Sequence, residues 1–240
     1  MEAAHCPTTG TLLKVDNPAM TVPYMTPGNA HRPPRAFGSA LRGLYLITPD
    51  GADSAELLAR VEPVLPHAAC LQYRNKRATA PQRLEQADAL RTLCSEAGIP
   101  LIINDDAALA AAVGADGVHL GEHDGAVAAA RALLGQDAII GVSCYDDLRR
   151  AFDVAAQGAD YLAFGAFYAS TTKPLARQAP LDLLQHARVI GLPQVAIGGL
   201  TPENARLVIA AGADMTAAIS GVFDAPDPVA AARAYAACFD

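Results

Sequence analysis

The segments INDD at residues 103–106 and VHLGEHD at residues 118–124 decide the predicted fold of this chain. Each is a short apolar run that ends abruptly in polar and acidic residues. This pattern is typical of a buried parallel strand whose carboxyl end opens into a site. Eighteen positions separate Asp105 from Asp124, enough for one short helix and a return strand. The two strands are therefore predicted to be adjacent and parallel, with their acidic ends facing each other.

These two acidic ends predict a metal site. Two carboxylates and the amide of Asn104 suit a hard cation such as Mg2+, which favours one or two carboxylates together with substrate phosphate oxygens. The alternative is a helix cap, since Asp105 or Asp106 could serve as N-cap of a helix that begins near Ala107. The second acidic cluster at Asp124 favours the metal over caps alone.

Outward from these segments, apolar runs and helical stretches alternate along the chain. Eight runs read as short strands, at residues 44–47, 69–73, 101–103, 117–120, 139–142, 161–164, 194–197 and 215–219. Stretches of helical character separate them, such as residues 53–61, 81–97, 146–157 and 202–211. Eight alternating units predict an α/β fold, a single (β/α)8 TIM barrel that occupies residues 41–240.

The first 40 residues are rich in Pro, Thr, Gly and Ala and show no sustained helical or strand period. They are predicted to be a flexible, disordered N-terminal extension or a wrongly assigned start. A partner-binding arm is the functional alternative.

Composition bounds the classes of function. The net charge of -7 argues against nucleic-acid binding, because a phosphate backbone needs a basic face. No run approaches the roughly 18 apolar residues of a membrane span, and Glu2 interrupts any signal-peptide order, so a cytoplasmic protein is expected. Five cysteines without CxxC pairing are expected to be free thiols. A homo-oligomer stays open.

Gly-Ala-Asp recurs at residues 114–116, 158–160 and 212–214, each time after an alanine-rich helix and before a predicted strand. The glycine suits a left-handed helix C-cap, so these are predicted to be turns at the bottom of the barrel. Their aspartates are therefore excluded from the site.

The ends of the other strands supply further candidates, because the active site of a TIM barrel lies there. Gln72 to Arg77 place three cations in four positions, which favours anion binding in an acidic protein. Ser143 is interpreted as a hydrogen-bond donor, with Cys144 a bystander. His119 is interpreted as a structural histidine, and His123 is left undecided.

Three later loops suit phosphate. Ser170, Thr171 and Thr172 place hydroxyls beside Lys173 in a long loop, although a plain polar turn is equally compatible. Glycines 198 and 199 precede a helix capped by Thr201, so backbone N–H groups can approach an anion there. Ile219 and Ser220 form a similar turn after strand 8, which could also bind an anion. The loops after strands 7 and 8 are the usual phosphate site of this fold.

From about Gly43 to the C-terminus, these motifs together resemble the thiamine phosphate synthase family. The resembling segments are residues 44–48, 72–76, 104–105, 119–121 with Asp124, 141–143, 172–173, 196–199 and 219–220.

The resemblance implies a transferase of thiamine biosynthesis. It would join 4-amino-2-methyl-5-(diphosphooxymethyl)pyrimidine to 4-methyl-5-(2-phosphooxyethyl)thiazole, releasing diphosphate and giving thiamine phosphate. By the same resemblance Asp105 and Asp124 would hold Mg2+. The predicted catalytic residues, which would hold the diphosphate, are Arg74, Lys76, Asn104, Ser143 and Lys173. The predicted substrate-binding residues are Gln72, Tyr73, Asn75, Ser170, Thr171, Thr172, Gly199, Ile219 and Ser220, with Gln72 near the pyrimidine.

The chain departs from the common family pattern at several positions. Tyr73 and Asn75 replace leucine and glutamate, Ser170 replaces threonine, and residues 122–123 and 215–216 also differ. None of these changes removes a charge assigned to metal or diphosphate. They affect the expected substrate affinity more than the reaction class.

Three rival functions remain at this level. A thiazole tautomerase of the same fold would need no magnesium or diphosphate groups, and Asp105 and Asp124 speak against it. A Schiff-base aldolase would use Lys173 covalently. A non-catalytic ligand sensor would keep the phosphate turns without turnover.

Overall fold

Eight parallel strands close into a barrel in chain order, and β8 pairs with β1. In the computed structural model of the chain, residues 41–51, 53–169 and 178–240 are described. The strands are β1 (Gly43–Ile47), β2 (Ala68–Tyr73), β3 (Leu101–Asn104), β4 (Gly117–Leu120), β5 (Ile139–Tyr145), β6 (Tyr161–Gly165), β7 (Gln194–Ile197) and β8 (Met215–Ala218). The (β/α)8 prediction and all eight predicted strands are confirmed.

Helices follow the strands on the outside of the barrel. They are α1 (Ser54–Val61), α2 (Ala80–Ala97), α3 (Ala107–Val113), α4 (Val127–Leu134), α5 (Leu148–Ala156), α6 (Asp182–Ala187), α7 (Pro202–Ala211), α8 (Ser220–Phe223) and α9 (Pro228–Ala236). Short 3-10 turns lie at Leu65–His67, Arg188–Ile190 and Ala237–Phe239. The described helices include no segment of the length and apolar character that a bilayer span requires. The predicted N-terminal extension, residues 1–40, lies outside the described residues.

Six strand ends differ from their predicted ranges, five of them by a single residue, and the ends of β5 and β8 bear on the site. β5 continues beyond Val142 to Tyr145, with an irregular register between Ser143 and Tyr145 opposite β6. Tyr145 has a φ of 56°, so the backbone turns there as it does at a bulge. β8 ends at Ala218, and Ile219 is the N-cap residue of α8. Both differences lie at the carboxyl edge of the barrel, where polar residues obscure the strand period.

Buried apolar residues form two layers because side chains alternate across each strand. The larger layer lies between the strands and the helices and includes Leu71 and Tyr73 of β2. The smaller layer fills the barrel interior and includes Tyr45, Cys70 and Tyr161. The interior therefore contains two tyrosines, whose hydroxyls need hydrogen-bond partners there.

Each of the three Gly-Ala-Asp turns makes the same type of hydrogen bond at the bottom of the barrel. Each aspartate accepts from a backbone N–H near the start of the preceding strand: Asp116 from Leu101 (2.9 Å), Asp160 from Ile140 (2.8 Å) and Asp214 from Gln194 (2.9 Å). The glycines have positive φ, as predicted for these turns. These carboxylates tie neighbouring strands together at the edge opposite the predicted site.

Candidate active site

Asp105 and Asp106 take different roles at the end of β3. Asp106 is the N-cap of α3, and its Oδ1 accepts from the Leu109 backbone N–H at 2.9 Å. Asp105 has a φ of 65°, and its own N–H donates to the His119 carbonyl of β4 at 2.8 Å. A non-glycine residue in this left-handed region is uncommon and points to a functional constraint. The capping role therefore belongs to Asp106, and the Asp105 carboxylate does not cap the helix.

The carboxylates of Asp105 and Asp124 lie within hydrogen-bond reach of each other. Asp124 is fixed by its own loop, because its Oδ2 accepts from the Gly121 N–H at 2.9 Å. Burial raises the pKa of Asp124, and the hydrogen bond and charge of Asp105 raise it further. Two carboxylates this close repel each other unless a proton or a cation lies between them.

This pair fits a magnesium ion better than a zinc ion. Among the described residues, no three His, Cys, Asp or Glu side chains cluster as zinc ligands would. Mg2+ instead takes one or two carboxylates together with phosphate oxygens and water. The Nζ of Lys76 lies 3.2 Å from Asp105 Oδ2, so positive charge already stands beside the pair.

The basic loop after β2 is held by residues at the end of β1. Asp50 Oδ2 lies 2.6 Å from Arg74 Nη1, and Asp50 Oδ1 accepts from the Lys76 backbone N–H at 2.7 Å. The Thr48 hydroxyl, fully buried, donates to the Arg74 carbonyl and accepts from the Arg74 N–H, both at 2.8 Å. These bonds fix the loop backbone, so the positions of Arg74 and Lys76 at the barrel mouth are set before substrate binds.

Asn75 and Tyr73 are buried, and neither side chain joins the carboxylate pair. Asn75 Oδ1 accepts from the backbone N–H groups of Gly51, Arg77 and Ala78 at 3.1 to 3.2 Å, which shapes the basic loop. The Tyr73 hydroxyl donates to Gln86 of α2 at 2.8 Å, within the outer apolar layer. The structure therefore separates Tyr73 from the barrel interior, which was not evident from its place in the motif.

Five side chains form a continuous hydrogen-bonded chain inside the barrel, which we call the interior relay. It runs from Gln72 Nε2 to the Tyr45 hydroxyl (2.8 Å), on to the Tyr161 hydroxyl (2.6 Å), to His119 Nδ1 (3.0 Å), and from His119 Nε2 to Ser143 Oγ (2.9 Å). It joins β2, β1, β6, β4 and β5. Two predicted site residues, Gln72 and Ser143, are therefore connected by hydrogen bonds through buried side chains.

His119 is a buried histidine with both ring nitrogens bonded, as interpreted from the sequence. Burial lowers its pKa to about 4, and the charge of Asp105 opposes that decrease. Its ring stacks on Tyr161, with centroids 5.6 Å apart. The imidazole is therefore neutral at neutral pH and acts as one donor and one acceptor.

The turn after β7 packs against the loop after β6. A Cβ built on Gly199 would lie 2.2 Å from the Ala169 carbonyl oxygen, and one on Gly198 would lie 2.4 Å from the Ala166 Cβ. Both glycines also have positive φ, which disfavours other residues. Backbone conformation and close packing therefore both require glycine at these positions. Thr201 then caps α7 through a capping box, as its sequence position predicted.

The remaining predicted residues fall into three sets. Ile219 and Ser220 lie at the start of α8, next along the barrel mouth from the α7 turn. Ser170, Thr171, Thr172 and Lys173 lie outside the described residues. Asn104 ends β3 beside Asp105, and His123 is exposed.

The cysteines take no part in the site among the described residues. Cys70, Cys94 and Cys144 are buried and Cys238 partly so, all as free thiols. Burial raises the pKa of Cys144 to about 12, so the thiol beside Ser143 stays protonated. The expectation of free thiols is confirmed at these four positions.

Sequence reasoning missed four residues that shape this site. Asp50 stands just beyond the carboxyl end of β1, where the rule used for the other strands would have found it. Tyr45 and Tyr161 lie inside apolar strands, and no local signal separates them from core residues. Arg150 of α5 donates to the Ser143 carbonyl at 2.8 Å and the Gly121 carbonyl at 3.2 Å, a contact that only the fold creates.

Comparison with known proteins gives a consistent result. The family model described as thiamine monophosphate synthase matches residues 44–222. A thiamine-phosphate synthase from Xanthomonas campestris pv. campestris (strain 8004) is 62% identical over 82% of this chain and 96% of its own length. One from Azoarcus sp. (strain BH72) is 62% identical over 85% of this chain and 100% of its own length. A solved thiamine phosphate pyrophosphorylase from Pyrococcus furiosus superposes with a TM-score of 0.74 at 32% identity, covering 83% of this chain and 96% of that one.

Proposed function

The chain belongs to the thiamine monophosphate synthase family, and we propose that its barrel mouth joins the pyrimidine diphosphate and the thiazole phosphate named above. It is a transferase of thiamine biosynthesis, and its products are thiamine phosphate and diphosphate. The observation that carries the proposal is the paired carboxylates of Asp105 and Asp124 beside Lys76, within a chain 62% identical to curated synthases.

The leaving diphosphate belongs on the side of the barrel formed by β2 to β5. Asp105 and Asp124 would hold Mg2+ there, and the bound ion would neutralise charge that develops on the diphosphate as its bond to carbon breaks. Arg74 and Lys76 add positive charge from the loop that Asp50 holds in place. Asn104 and Lys173 complete the predicted set around this anion.

The chemistry asks the protein to stabilise separated charge and to hold two reactants together. As the carbon–oxygen bond breaks, the cationic loop stabilises the departing diphosphate and the Ser143 hydroxyl donates to it. Gln72 orients the pyrimidine, whose carbocation is then attacked by the thiazole nitrogen. No covalent enzyme intermediate is needed, because orientation and charge neutralisation lower the barrier.

The thiazole phosphate belongs on the opposite side, at the turns after β7 and β8. Gly199 lies just before the N-terminus of α7, whose ten residues give a positive helix end. Ile219 and Ser220 add backbone N–H groups at the start of α8. The hydroxyls of Ser170, Thr171 and Thr172 are proposed to complete this phosphate site.

Tyr73 and Asn75 were predicted to bind substrate directly, and we propose an indirect role for both. Asn75 shapes the loop backbone that carries the cations, and Tyr73 supports it from the outer layer through Gln86. Both would then affect substrate binding through the position of Arg74 and Lys76.

We further propose a cytoplasmic enzyme whose partners are small phosphorylated molecules, without nucleic acid or membrane, and with a homo-oligomer as one possible state. Residues 41–240 are proposed to be the catalytic domain. These statements follow from charge and composition.

A two-substrate assay tests the proposed function. Diphosphate release should require both substrates and Mg2+, and Asp105→Ala should nearly abolish it. Asp106→Asn is the matched control, because it changes the neighbouring aspartate, which caps α3, and should keep most of the turnover. Undiminished turnover of Asp105→Ala, or of the wild type in excess EDTA, would contradict the metal assignment.

A further inference from the structure

The pairing between β4 and β5 ends just before the residues that are proposed to bind metal and diphosphate. Leu120 and Val142 are the last two residues in the register of these strands. Gly121 and Ser143 follow them, one on each strand, and lead into the barrel mouth. Beyond this point the backbone ladder no longer sets the distance between the two strands.

Arg150 of α5 bridges the two strands where the ladder stops. Its Nε donates to the Ser143 carbonyl at 2.8 Å, and its Nη2 donates to the Gly121 carbonyl at 3.2 Å. These two N–H groups lie along one edge of the planar guanidinium, so they hold their acceptors at a fixed separation. Because the donor is charged, both hydrogen bonds are stronger than bonds between neutral groups. Arg150 therefore links the strands rigidly where their own pairing has ended.

The Gly121 backbone is held on both sides of its Cα atom. Its carbonyl accepts from Arg150, and its N–H donates to Asp124 Oδ2 at 2.9 Å. A Cβ at this position would lie 2.5 Å from the same carboxylate oxygen, so any other side chain would displace the Asp124 carboxylate. The position of the Gly121 backbone therefore sets the position of this carboxylate.

Ser143 is held in a similar way near the end of β5. Its carbonyl accepts from Arg150, and its hydroxyl is bonded to His119 Nε2 at 2.9 Å. Asp147 caps α5 by accepting from the Arg150 backbone N–H at 3.0 Å, so Arg150 is fixed at its backbone as well as at its guanidinium. Tyr145, between Ser143 and Asp147, has a φ of 56°, a conformation that persists only where the surrounding structure holds it.

We propose that Arg150 is a positioning residue that sets the separation between Asp124, in the loop after β4, and Ser143, near the end of β5. This inference rests on the proposed function, in which Asp124 holds Mg2+ and Ser143 donates to the diphosphate. Arg150 acts on both groups through the two backbone carbonyls and touches no ligand itself. Loss of its guanidinium therefore weakens metal binding and diphosphate binding together, although both ligating side chains remain. Binding of the thiazole phosphate, at the turns after β7 and β8, does not depend on it.

Manganese binding to the free protein tests this role without turnover. Mn2+ is a paramagnetic substitute for Mg2+, and electron paramagnetic resonance of the unbound ion gives its dissociation constant. Arg150→Met should raise this constant about tenfold or more, the usual effect of removing a group that orients a metal ligand. Arg149→Met is the matched control, because it removes the same charge from the neighbouring, exposed position and should keep the wild-type constant. Equal constants in Arg150→Met and the wild type would overturn the proposal.

Steady-state kinetics separate positioning from general destabilisation. In Arg150→Met the KM for the pyrimidine diphosphate should rise about tenfold, whereas the KM for the thiazole phosphate should stay at the wild-type value. Arg150→Lys keeps the charge but not the planar fork, so it should show the same selective change. An equal rise in both KM values, or wild-type values in Arg150→Lys, would count decisively against the proposal.

Backbone NMR distinguishes a failure of this inference from a failure of the proposed function. The 15N order parameters of Gly121 and Asp124 should be about 0.85 in the wild type and should fall below about 0.6 in Arg150→Met. Unchanged order parameters would overturn the role of Arg150. A wild type that binds no Mn2+ and releases no diphosphate would instead refute the proposed function, and the order parameters would still decide whether Arg150 holds the loop.

Discussion

Replacing His119 should remove a specific acid sensitivity from the stability of this protein. Burial lowers the pKa of His119 from 6.5 to about 4. The unfolded chain therefore binds a proton at this histidine over a pH range in which the folded chain does not. Stability from the neutral side chain is fully present above pH 6.5 and is lost as pH falls towards about 4.

The two pKa values set the size of the effect. Linkage gives a loss of about 2 kcal/mol in the free energy of unfolding between pH 7 and pH 5, and about 3 kcal/mol when the transition is complete. A single residue would then account for a large part of the free energy of unfolding of a typical domain, which is roughly 5 to 15 kcal/mol.

Urea unfolding followed by far-UV circular dichroism, at both pH values and in EDTA, measures this difference. His119→Gln keeps an amide donor and acceptor but does not titrate, so its stability should fall by about 2 kcal/mol less than that of the wild type. His186→Gln, at an exposed histidine of α6, controls for the loss of a histidine as such. Equal losses in the wild type and His119→Gln would refute the reasoning from burial.

Three further predictions concern packing, a buried charge and the basic loop. Gly141→Ala would place a Cβ 1.8 Å from the Tyr161 ring, so it should destabilise the fold by about 3 kcal/mol or more in urea unfolding. Arg131→Met removes a buried guanidinium that donates to backbone carbonyls and an aspartate at the barrel bottom; it should cost about 3 kcal/mol in stability, with a near-normal KM in the folded fraction. Asp50→Asn weakens the hold on Arg74, so KM for the pyrimidine diphosphate should rise on the order of tenfold with little change in melting temperature. An unchanged KM would show that Arg74 needs no support.

Much of the fold was predictable because the strand signal is local. A short apolar run ending in polar residues marks each strand, and helices lie between them, so the order and parallel direction of eight strands follow from the pattern. Strand ends were less accurate. The extension of β5 to Tyr145 depends on a bulge against β6, which is a tertiary pairing.

The candidate site was predictable in part for the same reason. Asp105, Asp124 and the basic loop were found because side chains after parallel strands gather at one edge. The sequence left open which of Asp105 and Asp106 caps α3, since either has the right chemistry. The fold decides it, because only Asp106 can reach the Leu109 N–H.

The sequence by itself determined the barrel, the edge that carries the polar residues and the family to which they belong. Tertiary structure alone decided that Asp106 rather than Asp105 caps α3, that Tyr73 points into the outer layer and that Tyr45, Tyr161 and His119 connect Gln72 to Ser143. The physical reason is the sequence separation over which each interaction acts. Strand and turn preferences act within a few residues, whereas these contacts join side chains from strands up to 116 positions apart that only closure of the barrel brings together.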